Sequence, residues 1–138
     1  MRTITKEIKR DMAHRLPNYQ WKCRNVHWHT YKMLITLSGK EVQKEWSQKW
    51  MLRDFSLLKP IKERIDENRD HSYVWVWDDE VFLFLQDRGY KTYQMECDPT
   101  AENMAKFIYD RFRKEFPIES ITIYETPTSF STYNWENE

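Results

Sequence analysis

Two N-terminal segments place apolar side chains at alternate positions, which is the pattern of a β-strand with one buried face. The first segment is 3–13, TITKEIKRDMA, and the second is 29–37, HTYKMLITL. Their apolar residues are Ile4, Ile8 and Met12 in the first segment and Tyr31, Met33, Ile35 and Leu37 in the second. Gly39 then ends the second segment as a turn residue. The sequence therefore predicts two strands, each of which contributes one face to the core.

Two later segments have the spacing of amphipathic helices. Residues 54–69 carry apolar side chains at helical intervals, with charged residues between them. Residues 99–116 show the same spacing more clearly, and Pro99 suits the first turn of a helix. Basic side chains near the end of this second segment complement the helix dipole. Each predicted helix therefore has an apolar face to bury.

The remaining segments are short and complete the order of elements. Residues 119–126 and 129–136 have strand patterns, whereas a small inserted helix and a strand after Gly89 are predicted at about 78–97. This order predicts an α+β domain in which helices cover one side of an antiparallel sheet. The 138 residues, 1–138, fit a single domain of this kind.

Charge and composition exclude several classes of protein. The chain has 22 Lys and Arg residues against 22 Asp and Glu residues and no long like-charged block, so no nucleic-acid partner is predicted. No apolar run is long enough to span a bilayer, and the N-terminal residues lack the pattern of a signal peptide. The two cysteines form no CxxC pair, which predicts reduced thiols. We therefore expect a cytoplasmic protein with no membrane partner.

Three of the four histidines lie at the ends of the apolar faces. His14 continues the alternation of the first strand, and His27 and His29 share that of the second. Side chains two residues apart in a strand point the same way, so these two rings can share one ion. With His14 they could form the three-ligand set of a catalytic zinc site. Ordinary polar residues near strand ends would give the same pattern, and Cys23 as a fourth ligand would instead give a closed structural site.

Other reactive groups lie outside this set. Near a dication the thiolate of Cys23 would be favoured as a nucleophile or base, although an isolated cysteine is commonly an inert small hydrophobe. Asp70 precedes His71, and a carboxylate can hold an imidazole in one tautomer for proton transfer. Glu125 occupies an apolar register, so it lies either near the exposed end of its strand or in a site that uses its charge.

Six short motifs occur along the chain in an order that resembles one protein family. They are AHRLP at 13–17, CRNVHWH at 23–29, LRDFSLLK at 52–59, DH at 70–71, PTAEN at 99–103 and YET at 124–126. Together they use all four histidines and resemble the 6-pyruvoyl-tetrahydropterin synthase family over nearly the whole chain. The Cys-x-x-x-His-x-His spacing is similar to that of the 6-carboxytetrahydropterin synthase branch, which serves queuosine and other 7-deazapurine pathways.

The resemblance implies a role for each candidate residue. The family positions that bind zinc correspond to His14, His27 and His29. The catalytic cysteine and its two proton-transfer partners correspond to Cys23, Asp70 and His71. The position that anchors the pterin ring corresponds to Glu125, and a position that lines the pterin pocket corresponds to Thr100.

The resemblance also implies a fold, an assembly and a reaction. The fold is the tunnelling fold (T-fold), in which an antiparallel four-stranded sheet carries two main helices on one face. Copies of the chain would form a homo-oligomer, commonly a hexamer, with active sites between subunits. The reaction converts 7,8-dihydroneopterin triphosphate to 6-carboxy-5,6,7,8-tetrahydropterin and releases acetaldehyde and triphosphate. It needs Zn²⁺ as a Lewis acid but no redox cofactor.

Two places depart from the family pattern. Trp28 stands where the family has a glycine between the two ligand histidines, and its side chain is expected on the opposite face of the strand. In the segment 72–77, SYVWVW replaces a Leu-Asn that follows the Asp-His pair in the family.

Three other functions stay open: the 6-pyruvoyl-tetrahydropterin synthase reaction, a non-catalytic pterin-binding module, and a zinc hydrolase of unrelated chemistry.

Overall fold

Two 13-residue strands lie side by side at the centre of the sheet. Strand β1 spans Arg2–His14 and strand β2 spans His27–Gly39. They are antiparallel, and their register places His14 opposite His27 at one end of the pair. Most apolar positions of both strands are buried on one face, which confirms the predicted alternation.

The computed structural model describes residues 1–16, 22–44, 51–75 and 78–134, with the backbone alone of Cys23 and Trp75.

Four further strands extend this pair into a six-stranded sheet. They are β3, Ser72–Trp75; β4, Thr92–Gln94; β5, Ile118–Thr126; and β6, Ser129–Asn134. The order across the sheet is β4, β3, β1, β2, β5, β6. Strands β1, β2, β5 and β6 are antiparallel neighbours and form the predicted four-stranded sheet.

The predicted number of strands was wrong, because β3 and β4 add to the edge of β1. Strand β3 pairs in parallel with β1, and β4 pairs in parallel with β3. A parallel neighbour needs a crossover connection, and helix α2, Glu80–Asp87, supplies it between β3 and β4. Strands this short carry too few residues for an alternating pattern, so the sequence alone could not show where they pair.

Helix α1 spans Lys59–Asn68 and begins after a single 3₁₀ turn at Phe55–Leu58. Asp54 starts that turn by accepting a hydrogen bond from the backbone N–H of Ser56. Pro60 fits the first turn of α1, where the missing N–H donor costs nothing. The single helix predicted in this part of the chain is therefore present in two pieces.

Side-chain caps also start the other two helices. Asp79 begins α2 by accepting a hydrogen bond from the backbone N–H of Phe82 at 3.0 Å. Helix α3 spans Ala101–Phe112, and Thr100 begins it by accepting from the backbone N–H of Asn103 at 3.2 Å. Both helices confirm the sequence-based predictions.

One continuous core lies between the sheet and helices α1 and α3. Its buried residues include Ile8, Met12, Tyr31, Met33, Ile35, Leu37, Ile121 and Ile123 of the sheet, and Ile61, Ile65, Met104, Ile108 and Phe112 of the helices. This arrangement confirms the α+β class with helices on one face of the sheet. Among the described residues, no helix is long and apolar enough to cross a membrane.

Candidate metal centre and active site

Three histidine rings meet at the end of β1 and β2. The register sets His14 opposite His27 and Met12 opposite His29, so the three imidazoles share the side of the sheet that faces the core. The ring centroids of His14 and His27 are 4.6 Å apart, and those of His27 and His29 are 5.0 Å apart. The three rings predicted to bind a metal ion are therefore brought together.

Backbone carbonyls fix the tautomers of two of these rings. The carbonyl oxygen of Pro99 lies 2.9 Å from Nδ1 of His14, and that of Asn25 lies 2.8 Å from Nδ1 of His27. A carbonyl only accepts, so both Nδ1 atoms carry a proton and donate it. The Nε2 atoms, which are only 3.0 Å apart, then direct lone pairs at each other when both rings are neutral.

This arrangement favours a cation between the rings. Burial, and secondarily the charge of His27, lowers the pKa of His14 from 6.5 to about 4, so the neutral ring is the stable form near neutral pH. Nε2 of His29 is buried and has no hydrogen-bond partner within the described ranges. One ligand atom from each ring lies within 4.8 Å of the others, and three imidazoles are the donor set of a His₃ zinc site. The residues present therefore fit such an ion.

Glu125 places a carboxylate beside the cluster. Its Oε1 atom lies 3.5 Å from Nε2 of His29 and 3.7 Å from Nε2 of His14. Burial lowers the pKa of His29, and the charge of Glu125 opposes this shift only in part. Glu125 lies at an irregularity in the pairing of β5 with β6, between Tyr124 and Thr126. A carboxylate in the apolar register of β5 is therefore directed to the site rather than into the core.

A cavity of about 190 Å³ adjoins the histidines on the side of helix α3. His14, Thr100 and Glu125 all line it, together with Glu102 and Phe130. The structure thus brings both predicted pterin-binding residues next to a predicted metal ligand. Thr100 also has a structural role, because its hydroxyl caps the N-terminus of α3. Their roles toward a substrate stay predictions.

Asp70 and His71 form a close pair at the start of β3. Nδ1 of His71 lies 3.0 Å from Oδ2 of Asp70, and the other carboxylate oxygen accepts from the backbone N–H of Asp11 at 3.3 Å. The backbone N–H of His71 donates to the carbonyl of Asp11 at 2.7 Å. Lys91 also donates to the backbone carbonyl of Asp70. A carboxylate this close to Nδ1 favours a proton on that atom, which would leave Nε2 of a neutral His71 to accept one.

The Asp70–His71 pair borders a different cavity from the metal cluster. His71 has a left-handed backbone with φ of 56°, and its side chain is 75% exposed. It lines a cavity of about 610 Å³ together with Trp28, Thr30 and Lys91. In the described part of the chain, none of the three clustered histidines lines that cavity. A single copy of the chain therefore does not bring His71 to the metal cluster.

Two further predictions concern residues around β2. Cys23 lies in a 3₁₀ turn at Lys22–Arg24, and its side chain is outside the described residues, so its catalytic role stays a prediction. Trp28 is 75% exposed and lines cavities with Thr30, on the sheet face opposite the core, as its position in the strand predicts.

Sequence reasoning missed the groups that orient the site. The carbonyls of Pro99 and Asn25 and the backbone of Asp11 hold the histidines and the Asp70–His71 pair in place. Every residue has a carbonyl and nearly every residue has an N–H, so no residue type marks these contacts in the sequence. The only signal was indirect, because Pro99 begins the PTAEN motif.

Comparisons with known proteins agree with the resemblance. The sequence model of one family, PTPS, 6-pyruvoyl tetrahydropterin synthase, matches residues 3–136. A protein of Haemophilus influenzae named 6-carboxy-5,6,7,8-tetrahydropterin synthase is 39% identical over 94% of this chain and 96% of its own length. A protein of the same name from Rickettsia conorii is 34% identical over 91% of this chain and 95% of its own length.

Solved structures establish the fold. An uncharacterized protein from Wolinella succinogenes superposes with a TM-score of 0.82 at 21% identity, over 97% of this chain and 98% of that chain. The Caenorhabditis elegans 6-pyruvoyl tetrahydropterin synthase superposes with a TM-score of 0.68 at 23% identity, over 96% of this chain and 94% of that chain. The predicted T-fold is confirmed.

Proposed function

The chain belongs to the 6-pyruvoyl tetrahydropterin synthase family, and we propose that it is a lyase that acts on a reduced pterin. The proposed reaction converts 7,8-dihydroneopterin triphosphate and one molecule of water to 6-carboxy-5,6,7,8-tetrahydropterin, acetaldehyde and triphosphate. The observation that carries this proposal is the histidine cluster whose member His14 lines one cavity with Glu125 and Thr100, in a chain 39% identical to a protein named for the product. The product would enter 7-deazapurine (preQ0/queuosine) biosynthesis in the cytoplasm.

We propose that His14, His27 and His29 hold zinc through their Nε2 atoms. The carbonyls of Pro99 and Asn25 support this role, because they keep the Nδ1 atoms protonated and leave Nε2 as the donor to a metal. When bound, zinc supplies a Lewis acid that polarises oxygen atoms on the side chain of the substrate.

Glu125 and Thr100 would bind the pterin ring. An ionised carboxylate accepts hydrogen bonds from the N–H donors of the ring, and such charge-assisted bonds are stronger than neutral ones. Glu125 is 35% exposed, so its carboxylate can be reached from solvent. Thr100 lines the same cavity and limits how the ring can lie in it.

Proton transfer would use Cys23, Asp70 and His71. The carboxylate of Asp70, 3.0 Å from Nδ1 of His71, would favour the tautomer whose Nε2 can accept a proton. Since His71 lies away from the histidine cluster of its own chain, we propose that a neighbouring copy completes the site in a homo-oligomer, a hexamer by family resemblance.

The first experiment identifies the products. Zinc-loaded protein is incubated with 7,8-dihydroneopterin triphosphate, the pterins are identified by mass spectrometry, and acetaldehyde is trapped. Cys23→Ala should abolish product while zinc content is retained, and Cys97→Ala, at an exposed cysteine, is the matched control. A pyruvoyl product that retains all side-chain carbons would assign the 6-pyruvoyl reaction instead. Unchanged substrate would favour a binding module, and full activity of Cys23→Ala would refute its role.

A second experiment tests the shared site. Cys23→Ala and His71→Ala are each expected to be inactive, and the two variants are unfolded together and refolded as mixed oligomers. If each site takes Cys23 and His71 from different subunits, about one quarter of the sites regain both groups after random mixing. Absence of any recovered activity in mixed oligomers of native size would contradict the shared site.

A further inference from the structure

His71 has an unusual backbone conformation for a residue with a side chain. Its φ of 56° lies in the left-handed region, and among the residues that the structure describes the one other positive φ is that of Gly89. A residue with a Cβ atom adopts this region at a cost in free energy, so the conformation persists only where the surrounding structure holds it. The contacts that hold His71 are therefore relevant to its function.

A short turn between helix α1 and strand β3 contains His71. The carbonyl oxygen of Arg69 accepts hydrogen bonds from the backbone N–H of Ser72, at 3.2 Å, and from the hydroxyl of the same residue. The backbone N–H of His71 donates to the carbonyl of Asp11 at 2.7 Å. One end of the peptide group between Asp70 and His71 is thus fixed to strand β1.

Lys91 fixes the other end of this peptide group. Its ammonium donates to the carbonyl of Asp70 and, at 3.0 Å, to the carbonyl of Asp66. Asp66 lies in the last turn of α1, where carbonyls lack partners within the helix and a lysine is a favourable donor. The carbonyl of Lys91 also accepts from the backbone N–H of Tyr73 at 3.1 Å. Lys91 therefore joins the end of α1 and the start of β3 to the Asp70–His71 peptide.

The ring of His71 is not held by packing. Its side chain is 75% exposed and lines the cavity of about 610 Å³ together with Lys91. Its orientation therefore depends on the backbone and on the carboxylate of Asp70, 3.0 Å from Nδ1. That carboxylate is fixed in turn, because its other oxygen accepts from the backbone N–H of Asp11. The direction of the imidazole thus follows from the peptide group that Asp11 and Lys91 bind.

We propose that Lys91 is a positioning residue for His71, an inference that rests on the proposed function and deepens it. Its ammonium keeps the Asp70–His71 peptide in place, so that His71 retains its left-handed backbone and its ring stays at the cavity. Misplacement of a reacting group by about 1 Å can cost on the order of 100-fold in rate. Lys91 can therefore control the rate through the backbone alone. Strand β4 then has a role as well, because its pairing with β3 sets where Lys91 lies.

The first test measures the turn itself, in the native oligomer and without substrate. Hydrogen–deuterium exchange, followed by mass spectrometry, reports how readily the amides of a peptide that spans 69–73 open. Lys91→Met removes the ammonium but keeps an unbranched side chain, and it should speed this exchange about tenfold. Lys91→Arg keeps the donors and should retain slow exchange. Lys62→Met is the matched control, because Lys62 of α1 pairs with the carboxylate of Asp66, at 3.4 Å.

The second test is kinetic and uses 7,8-dihydroneopterin triphosphate. In Lys91→Met, kcat should fall about tenfold to 100-fold, whereas KM and zinc content should stay as in the wild type. Lys91→Arg should restore kcat, and Lys62→Met should not change it.

Three results would overturn the positioning role: exchange that is unchanged in Lys91→Met, faster exchange with an unchanged kcat, or a higher KM at an unchanged kcat, which would make Lys91 a substrate ligand. If the wild type forms no product and exchange still depends on Lys91, the proposed reaction is refuted, whereas the hold of Lys91 on His71 stands. The two failures are therefore distinguishable.

Discussion

Zinc should stabilise this fold strongly, because its three proposed ligands are assembled only when β1 and β2 pair. The Nε2 atoms of His14 and His27 are 3.0 Å apart in the folded chain, and the unfolded chain does not hold them together. At free zinc of about 1,000 times the Kd, a ligand of the folded state alone adds about 4.1 kcal/mol to the free energy of unfolding.

This energy converts to a measurable shift in melting temperature. With an unfolding entropy of about 2.1 cal/mol/K per residue, the 138 residues give roughly 290 cal/mol/K. An addition of about 4.1 kcal/mol then raises Tm by about 14 °C. Differential scanning calorimetry of metal-stripped protein, with and without buffered zinc, measures the shift. Protein concentration is held constant, since assembly of an oligomer also changes Tm.

Two histidine variants make the test specific. His29→Gln removes one ligand of the cluster and should lose most of the rise in Tm. His71→Gln removes the exposed histidine outside the cluster and should keep it. An equal rise in wild type and His29→Gln, or a rise lost in His71→Gln, would show that zinc binds elsewhere and would refute the assignment.

Three further predictions concern the free energy of unfolding, measured by urea titration. The free energy of unfolding of the metal-free protein should fall by about 3 kcal/mol as the pH falls from 6.5 to 4. Burial lowers the pKa of His14 to about 4, so the unfolded chain takes up the proton first. The variant His14→Gln should not show this loss. Asp79→Ala should cost about 3–5 kcal/mol, because it leaves the Arg15 guanidinium without the buried carboxylate it contacts. Gly39→Ala should cost about 1 kcal/mol, because the added Cβ would lie 2.6 Å from Cδ1 of Leu52, and Leu52→Ala should relieve part of it.

Local pattern was sufficient for most of the fold. Alternation predicts β1, β2 and β5 because each buries one face under the helices, and helical spacing predicts α1 and α3 for the same reason. Thr100 and Asp79 act as the caps that start α3 and α2. Pattern predicted a strand after Gly89, where β4 lies, but it did not predict the parallel pairing of β3 with β1 and of β4 with β3, which depends on contacts between distant segments.

The same division holds at the candidate site. The sequence alone determined that His14, His27 and His29 lie on one side of two strands, because side-chain direction in a strand alternates with every residue. It also showed that a carboxylate interrupts the apolar face of β5 at Glu125. These are properties of neighbours along the chain.

Only the tertiary structure decided how these groups meet. The 3.0 Å approach of two Nε2 atoms, the carbonyl of Pro99 on His14, and the contact of Lys91 with the carbonyl of Asp70 all depend on the register between strands and on where the helices begin and end. Periodicity specifies the face on which a side chain lies but not its partner on another strand. That partner is selected by packing of the whole core, so it can be found only in the folded molecule.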